Sequence, residues 1–280
     1  MRIDAHQHFW QPARGDYDWM PRDNAVLNRP YFPADLSATL DRHDINGTVL
    51  VQAAATVAET EYMLGLADAS PFVRGVVGWI DFEKPRDIDQ LERLAQHPKF
   101  LGVRPMIQDI PDTDWMLRDD IAWAFDALCD LDLTFDALGF PQHLGNFLEL
   151  IGRYPNLRVV FDHCMKPRIR DQQAGNDAFS EWAAGISRLA AETDGFCKFS
   201  GLITEAGEGW VTDDLRPFAD HVLAAFGPDR LMWGSDWPVC RLQAEYGDWL
   251  DVAQQLTSHL TTSERADVFG GTAARFYRLD

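Results

Sequence analysis

Basic residues are scarce in this chain. Its 280 residues carry 25 Lys and Arg against 44 Asp and Glu, a formal charge of −19. Such a surface repels phosphate backbones and anionic bilayers, which argues against nucleic-acid and membrane partners. Cysteine is sparse too: Cys129, Cys164, Cys197 and Cys240 lie far apart, with no C-x-x-C pair for zinc or redox chemistry. In a chain this long they read as buried thiols of a reducing compartment. No apolar run approaches the roughly 20 residues that span a bilayer. The opening Met1-Arg2-Ile3-Asp4-Ala5-His6 lacks the apolar stretch of a secretory signal, so a cytoplasmic location is expected. Asn46-Gly47-Thr48 has the form of a glycosylation sequon but, without such a signal, reads as a turn into a strand. A Gly-rich phosphate loop, a Walker lysine, internal repeats and low-complexity tracts are also missing.

What is present is globular: 46% hydrophobic and 25% charged residues. Eight short apolar runs rich in β-branched or aromatic residues stand out. They cover residues 2–8, 48–52, 74–80, 100–106, 133–138, 157–163, 196–201 and 230–236. Stretches of helical spacing separate most of them, such as Leu36-Leu40-His43, Ile88-Leu91-Leu94 and Leu144-Phe147-Leu148-Ile151. Strand alternating with helix describes an α/β protein with a parallel sheet. An open doubly wound sheet would carry a Gly-rich loop after its first strand, and here that strand ends in His6-Gln7-His8-Phe9-Trp10. Eight units in about 250 residues is the size of a (β/α)8 TIM barrel, and one such domain over residues 1–280 is expected. Residues 11–33, rich in Pro and Asp, read as a long loop at the face where barrels place active sites, a lid or else a disordered excursion. Two closing helices are expected over 243–260 and 263–277, the second opened by Thr261 and Glu264 at capping-box spacing.

His6 and His8, two apart on a strand, project to one side. Together they could hold a cation or donate to an oxyanion; alone they could equally be bonded to loop carbonyls. His163 closes the sixth run and Asp236 the eighth, both where barrel catalytic residues originate. Gly234 shares the face of Asp236 and leaves room beneath its carboxylate. Arg104, Lys166 and Lys198 are candidate anion or hydroxyl binders with internal ion pairs as the plain alternative. Gln52 is a candidate hydroxyl reader, and Trp10, Trp79 and Trp237 offer flat surface for a sugar ring.

Asp4-Ala5-His6-Gln7-His8, Asp162-His163-Cys164-Met165-Lys166-Pro167, Lys198-Phe199-Ser200-Gly201 and Gly234-Ser235-Asp236-Trp237-Pro238 resemble the amidohydrolase superfamily of the amidohydrolase-2 type. The similarity runs on to residues 269–277 and is nearest to a sugar-lactonase branch that includes L-fuconolactone, L-rhamnonolactone and 2-pyrone-4,6-dicarboxylate hydrolases. The resemblance implies a barrel hydrolase of carboxylic ester bonds, with Asp236 as general base and His6, His8 and His163 around the scissile carbonyl. The chain departs from binuclear members: its fourth strand reads Gly102-Val103-Arg104-Pro105-Met106, and its fifth ends Asp136-Ala137-Leu138-Gly139. Neither supplies the usual bridging or histidine ligand, which argues against two metals. The resemblance implies that hydrolysis needs no cofactor; one divalent cation such as zinc on His6, His8, His163 and Asp236 is the alternative. The expected partner is a small sugar lactone, with a homo-oligomer left open. A metal-dependent non-oxidative decarboxylase or a lactone isomerase of the same superfamily are the rival readings.

Overall fold

A computed structural model describes residues 1–173 and 177–279. Each of the eight apolar runs overlaps a strand, and β2 and β3 begin one residue before theirs: β1 Ile3–Gln7, β2 Gly47–Val51, β3 Val73–Gly78, β4 Phe100–Val103, β5 Thr134–Ala137, β6 Arg158–Phe161, β7 Phe196–Phe199 and β8 Leu231–Trp233. The strands pair in parallel in chain order, with helices in the crossovers, as parallel neighbours require. The ring closes just past β8. The Asp236 N–H donates to the His6 carbonyl at 2.8 Å, and the His8 N–H donates to the Trp237 carbonyl at 2.7 Å. β1 thus has a neighbour on either side, which an open sheet cannot give it, and the fold is a (β/α)8 barrel. The closing seam also sets two histidines and Asp236 side by side.

Alternation along the strands divides the apolar residues into two layers. Phe135, Phe161, Phe199 and Trp233 pack outward in the shell of helices. Val49, Val51, Val77, Val160 and Met232 form a smaller cluster with Ala273, Phe276 and Tyr277 of the last helix, Thr272–Tyr277. β1 breaks the alternation: between Asp4 and Gln7 it advances three residues while β2 advances two, from Thr48 to Leu50. An extra residue of this kind re-aims side chains. Ala5 stays in the inner cluster while the next residue, His6, meets the charged groups of β6 and β7.

Residues 11–33 form a packed loop. Trp10 and Tyr31 exchange two backbone hydrogen bonds (3.1 and 2.8 Å), and Tyr17, Met20 and Leu27 are buried. The first closing helix is shorter than the spacing suggests, and the second fills its expected span with an irregular turn over Asp267–Gly271. The first runs Tyr246–Leu256, and the second is split into Thr262–Ala266 and Thr272–Tyr277. The split falls where Gly270 lies so close to β1 that a Cβ would stand 2.3 Å from the Met1 carbonyl oxygen. The expected capping box is present, with Glu264 accepting from the Thr261 N–H at 2.7 Å. Among the described residues no helix is long and apolar enough to cross a membrane.

Candidate active site

Four side chains from β1, β6 and β8 meet at the C-terminal mouth. The Asp236 Oδ1 lies 3.3 Å from His8 Nε2, 3.8 Å from His6 Nε2 and 4.0 Å from His163 Nε2. All four residues are buried, and among the described residues no Lys or Arg pairs with the Asp236 carboxylate. Burial pushes that carboxyl up, but His163, His8 and Lys166 outweigh it and hold it below the ordinary range. Burial lowers the imidazoles: His163 to about 4, His8 below its usual value, and His6 well below, the last with help from the nearby Lys198 ammonium. At neutral pH the mouth therefore combines a carboxylate with three uncharged rings.

Their orientations follow from outer partners. The His8 Nδ1 lies 2.7 Å from the Val51 carbonyl and its Nε2 lies 3.3 Å from Asp236 Oδ1, so an acceptor faces each nitrogen. His163 Nδ1 is 2.9 Å from the Ser200 hydroxyl. His6 Nε2 and His8 Nε2 are 3.2 Å apart within hydrogen-bonding geometry. Gly234 makes room for His6 rather than for the carboxylate above it: a Cβ there would stand 2.7 Å from the His6 Cβ.

Below the mouth lies a layer of paired charge. Lys198 Nζ is 2.5 Å from Asp136 Oδ2, 3.1 Å from Asp162 Oδ1 and 3.0 Å from His6 Nδ1. The Tyr277 hydroxyl donates to Asp136 at 2.7 Å. Arg104 Nη1 donates to Asp162 at 3.2 Å, and its Nη2 donates to the Gln52 carbonyl. Burial opposes ionisation of Asp162, but Lys198, His6 and Arg104 hold its carboxyl well below the usual range.

Two backbone features position the site. His163, Cys164, Met165 and Lys166 all have φ between 47° and 57°, and Asp236 has φ 56°. Left-handed backbone costs about 1–2 kcal/mol per non-glycine residue, so packing must impose it. The Trp182 indole donates to the Cys164 carbonyl at 2.8 Å inside that turn. Gly201, at φ 70°, passes so near that a Cβ would meet the His163 Cβ at 2.7 Å.

The mouth opens on a cavity of about 310 Å³, at the small end for ligand pockets. His8, His163 and Asp236 line it with Arg104, Lys166 and Trp10. His6 is fully buried beneath them. Four expected binders are placed elsewhere. Gln52 is buried outside the lining, its amide donating to the Arg104 carbonyl at 2.5 Å, so it props Arg104. Trp237 packs edge-on against Phe9 and Tyr31 because the barrel seam turns its ring outward. Trp79 lines a neighbouring cavity of about 310 Å³, which shares Met106 and Asp109 with the first. Lys198 is wholly buried in the charged layer. Trp19 on the long loop, which sequence reasoning missed, lines the cavity and donates its indole N–H to the Ala53 carbonyl at 2.6 Å. Its place in a Trp- and Tyr-bearing loop beside the mouth was the available signal. Asp136, Asp162 and Tyr277 were also missed as members of the layer beneath.

Ligand atoms of His6, His163 and Asp236 all lie within 4.8 Å of one another, a spacing compatible with a divalent cation. The surroundings of His6 fit less well. A metal-bound imidazole normally donates its other N–H to a carboxylate or carbonyl, and here Nδ1 faces an ammonium group at 3.0 Å, which cannot accept.

A (β/α)8 barrel with histidines ending β1 and β6 and an aspartate ending β8 defines a class of barrel hydrolases. The family model described as "Amidohydrolase" matches residues 3–279. The chain belongs to that family. It is 42% identical to an L-fucono-1,5-lactonase of Burkholderia ambifaria, covering 100% of this chain and 96% of that one. An L-fucono-1,5-lactonase of Burkholderia multivorans is 36% identical, again over 100% and 96%. A crystal structure of an amidohydrolase from Burkholderia multivorans with bound zinc superposes with a TM-score of 0.92, at 36% identity and full coverage of both chains.

Proposed function

We propose that this chain hydrolyses a small sugar-derived lactone to the sugar acid, in the manner of an L-fucono-1,5-lactonase. One observation carries the reading: Asp236 is a buried carboxylate that opens on the cavity, ringed by imidazoles and paired with no Lys or Arg among the described residues. Such a group is ionised at neutral pH and free to take a proton from water. The two similar lactonases, which match over the full chain, support the substrate class.

The steps follow from this chain's own residues. Asp236 removes a proton as water adds to the lactone carbonyl carbon. The oxyanion that forms lies against Arg104 and Lys166, the cations of the cavity wall, with His163 beside them. Collapse of the tetrahedral carbon breaks the bond to the ring oxygen, and the Asp236 carboxyl returns its proton to that oxygen. The new acid then ionises, releasing one proton per turnover. His6 and His8, expected at the carbonyl, are joined to each other, so we assign them to holding Asp236 in place. These steps draw on no metal ion. A lactone is an activated ester and asks less electrophilic help than an amide.

The test is a panel of 1,4- and 1,5-lactones of six-carbon sugars and 6-deoxy sugars, followed by proton release and by NMR of the product. The protein's metal content is measured, and the assays are run with and without chelator. Stoichiometric acid release from a deoxy-sugar lactone is the expected result. Exchange of ring size without acid would replace the reading with isomerisation. Carbon dioxide from aromatic acids, with no lactone opened, would replace it with decarboxylation.

A further inference from the structure

A buried carboxylate on the outer side of the barrel ties β1 to the turn that carries Asp236. Ile3 and Ala5 belong to the inner apolar cluster, so Asp4 between them points the other way, toward the helix Tyr246–Leu256. Asp4 is fully buried, and the groups that donate to it are neutral. Its Oδ1 accepts from the Ser235 N–H at 2.8 Å and from the His6 N–H at 3.2 Å, and its Oδ2 accepts from the Tyr246 hydroxyl at 3.2 Å. One oxygen therefore joins the residue before Asp236 to the stretch of β1 that holds the extra residue. The turn beyond β8 needs such a tie, because Asp236 has left-handed backbone that a non-glycine residue does not hold unaided. The Asp236 N–H donates to the His6 carbonyl at 2.8 Å, and the Trp237 N–H donates to the Ser235 hydroxyl at 3.0 Å. Asp4 thus grips both partners of the contact between β1 and this turn, His6 by its own N–H and Asp236 through the N–H of its neighbour.

We propose that Asp4 is a positioning residue whose Oδ1, shared by the Ser235 and His6 amides, fixes the left-handed turn that aims the Asp236 carboxylate at the cavity. Its effect on turnover rests on the lactonase reading; its effect on the turn does not. Because the donors are two backbone N–H groups and a hydroxyl, the oxygen is what the turn needs and the charge is not. Asparagine keeps Oδ1 as an acceptor, and Tyr246 can rotate its hydroxyl to accept from the new amide nitrogen. Alanine removes both acceptors and leaves a buried backbone N–H without its partner.

Amide hydrogen exchange read residue by residue by NMR, together with lactone turnover, tests it. In Asp4→Ala the Asp236 N–H, which Asp4 does not touch, should exchange about tenfold or more faster than in the unaltered protein. In the same variant kcat should fall about 30-fold or more while KM changes less than about threefold, since the lactone is still held but the base is misplaced. Asp4→Asn should restore slow exchange and keep kcat within about threefold of the unaltered protein. Where Asp4→Ala does not fold, Asp4→Leu fills the space without offering an acceptor and carries the same expectation. Unchanged exchange at Asp236 in a folded Asp4→Ala or Asp4→Leu variant would overturn the proposal. So would an Asp4→Asn variant that exchanges as fast, or loses as much turnover, as Asp4→Ala. The exchange readout uses no substrate, so failure of the lactone panel and failure of this proposal are told apart.

Discussion

The carboxylates inside the barrel fall into two regions that differ in how their charge is answered. In the lower layer Asp136 and Asp162 share Lys198, with Tyr277 donating to the first and Arg104 to the second. At the mouth, a few ångströms above, Asp236 meets three uncharged rings and an open cavity. Buried carboxylates paired with buried cations hold a structure in register, whereas one left open toward a cavity can exchange a proton. The difference is one of charge pairing, since both sets are buried acids in or just past parallel strands.

The comparison breaks most sharply by substitution in each region. Asp236→Asn is expected to lower kcat by about 10³-fold or more while thermal stability stays near that of the unaltered protein, because no cation is orphaned. Turnover assays alongside a melting curve check both halves. Asp136→Asn should do the reverse in stability, costing about 3 kcal/mol or more in denaturant titration, since it strips a partner from a buried ammonium. Equal loss of stability in the two variants would erase the distinction. Gly201→Ala should come next: its left-handed φ and the contact with His163 together cost about 2 kcal/mol, and kcat should fall as His163 is displaced. Trp19→Ala touches only the rim and should raise KM by about three- to tenfold through lost ring contact, with kcat little changed.

A pH profile sharpens the same contrast. His163 is held neutral down to about 4, so activity should persist through the mildly acidic range and fall as pH drops through about 4, when His163 gains a proton beside Asp236. The stability term has a definite sign. The unfolded chain takes up the His163 proton near 6.5 and the folded chain only near 4, so this residue lowers stability progressively as pH falls between those values. Glu59, raised to about 7 by burial, acts oppositely, and its contribution is lost as pH rises from about 4.5 through 7.

The eight strands were legible because barrel strands are buried on both faces and read as short apolar runs, as at Val49–Val51 and Val159–Phe161. His6, His8, His163 and Asp236 were legible as candidates because each sits at a strand end. What escaped was whatever depends on partners distant in the chain. Gln52 and Trp237 sit just past strand ends, close to the mouth in sequence, but the contact with the Arg104 loop claims one and the barrel seam turns the other outward. The extra residue in β1 and the left-handed turn at His163–Lys166 carry no glycine or proline to announce them. Asp136 and Tyr277, 141 positions apart, meet only because the last helix returns to the inner apolar cluster of the barrel.

The role of Asp236 is tested most directly by a single turnover in ¹⁸O-water with enzyme in excess over lactone. If the carboxylate acts as a base on water, the label enters the carboxyl group of the released sugar acid and the peptide containing Asp236 stays unlabelled. Label in that peptide, with an unlabelled acid from the first turnover, would show that Asp236 attacks the carbonyl itself and would contradict the account.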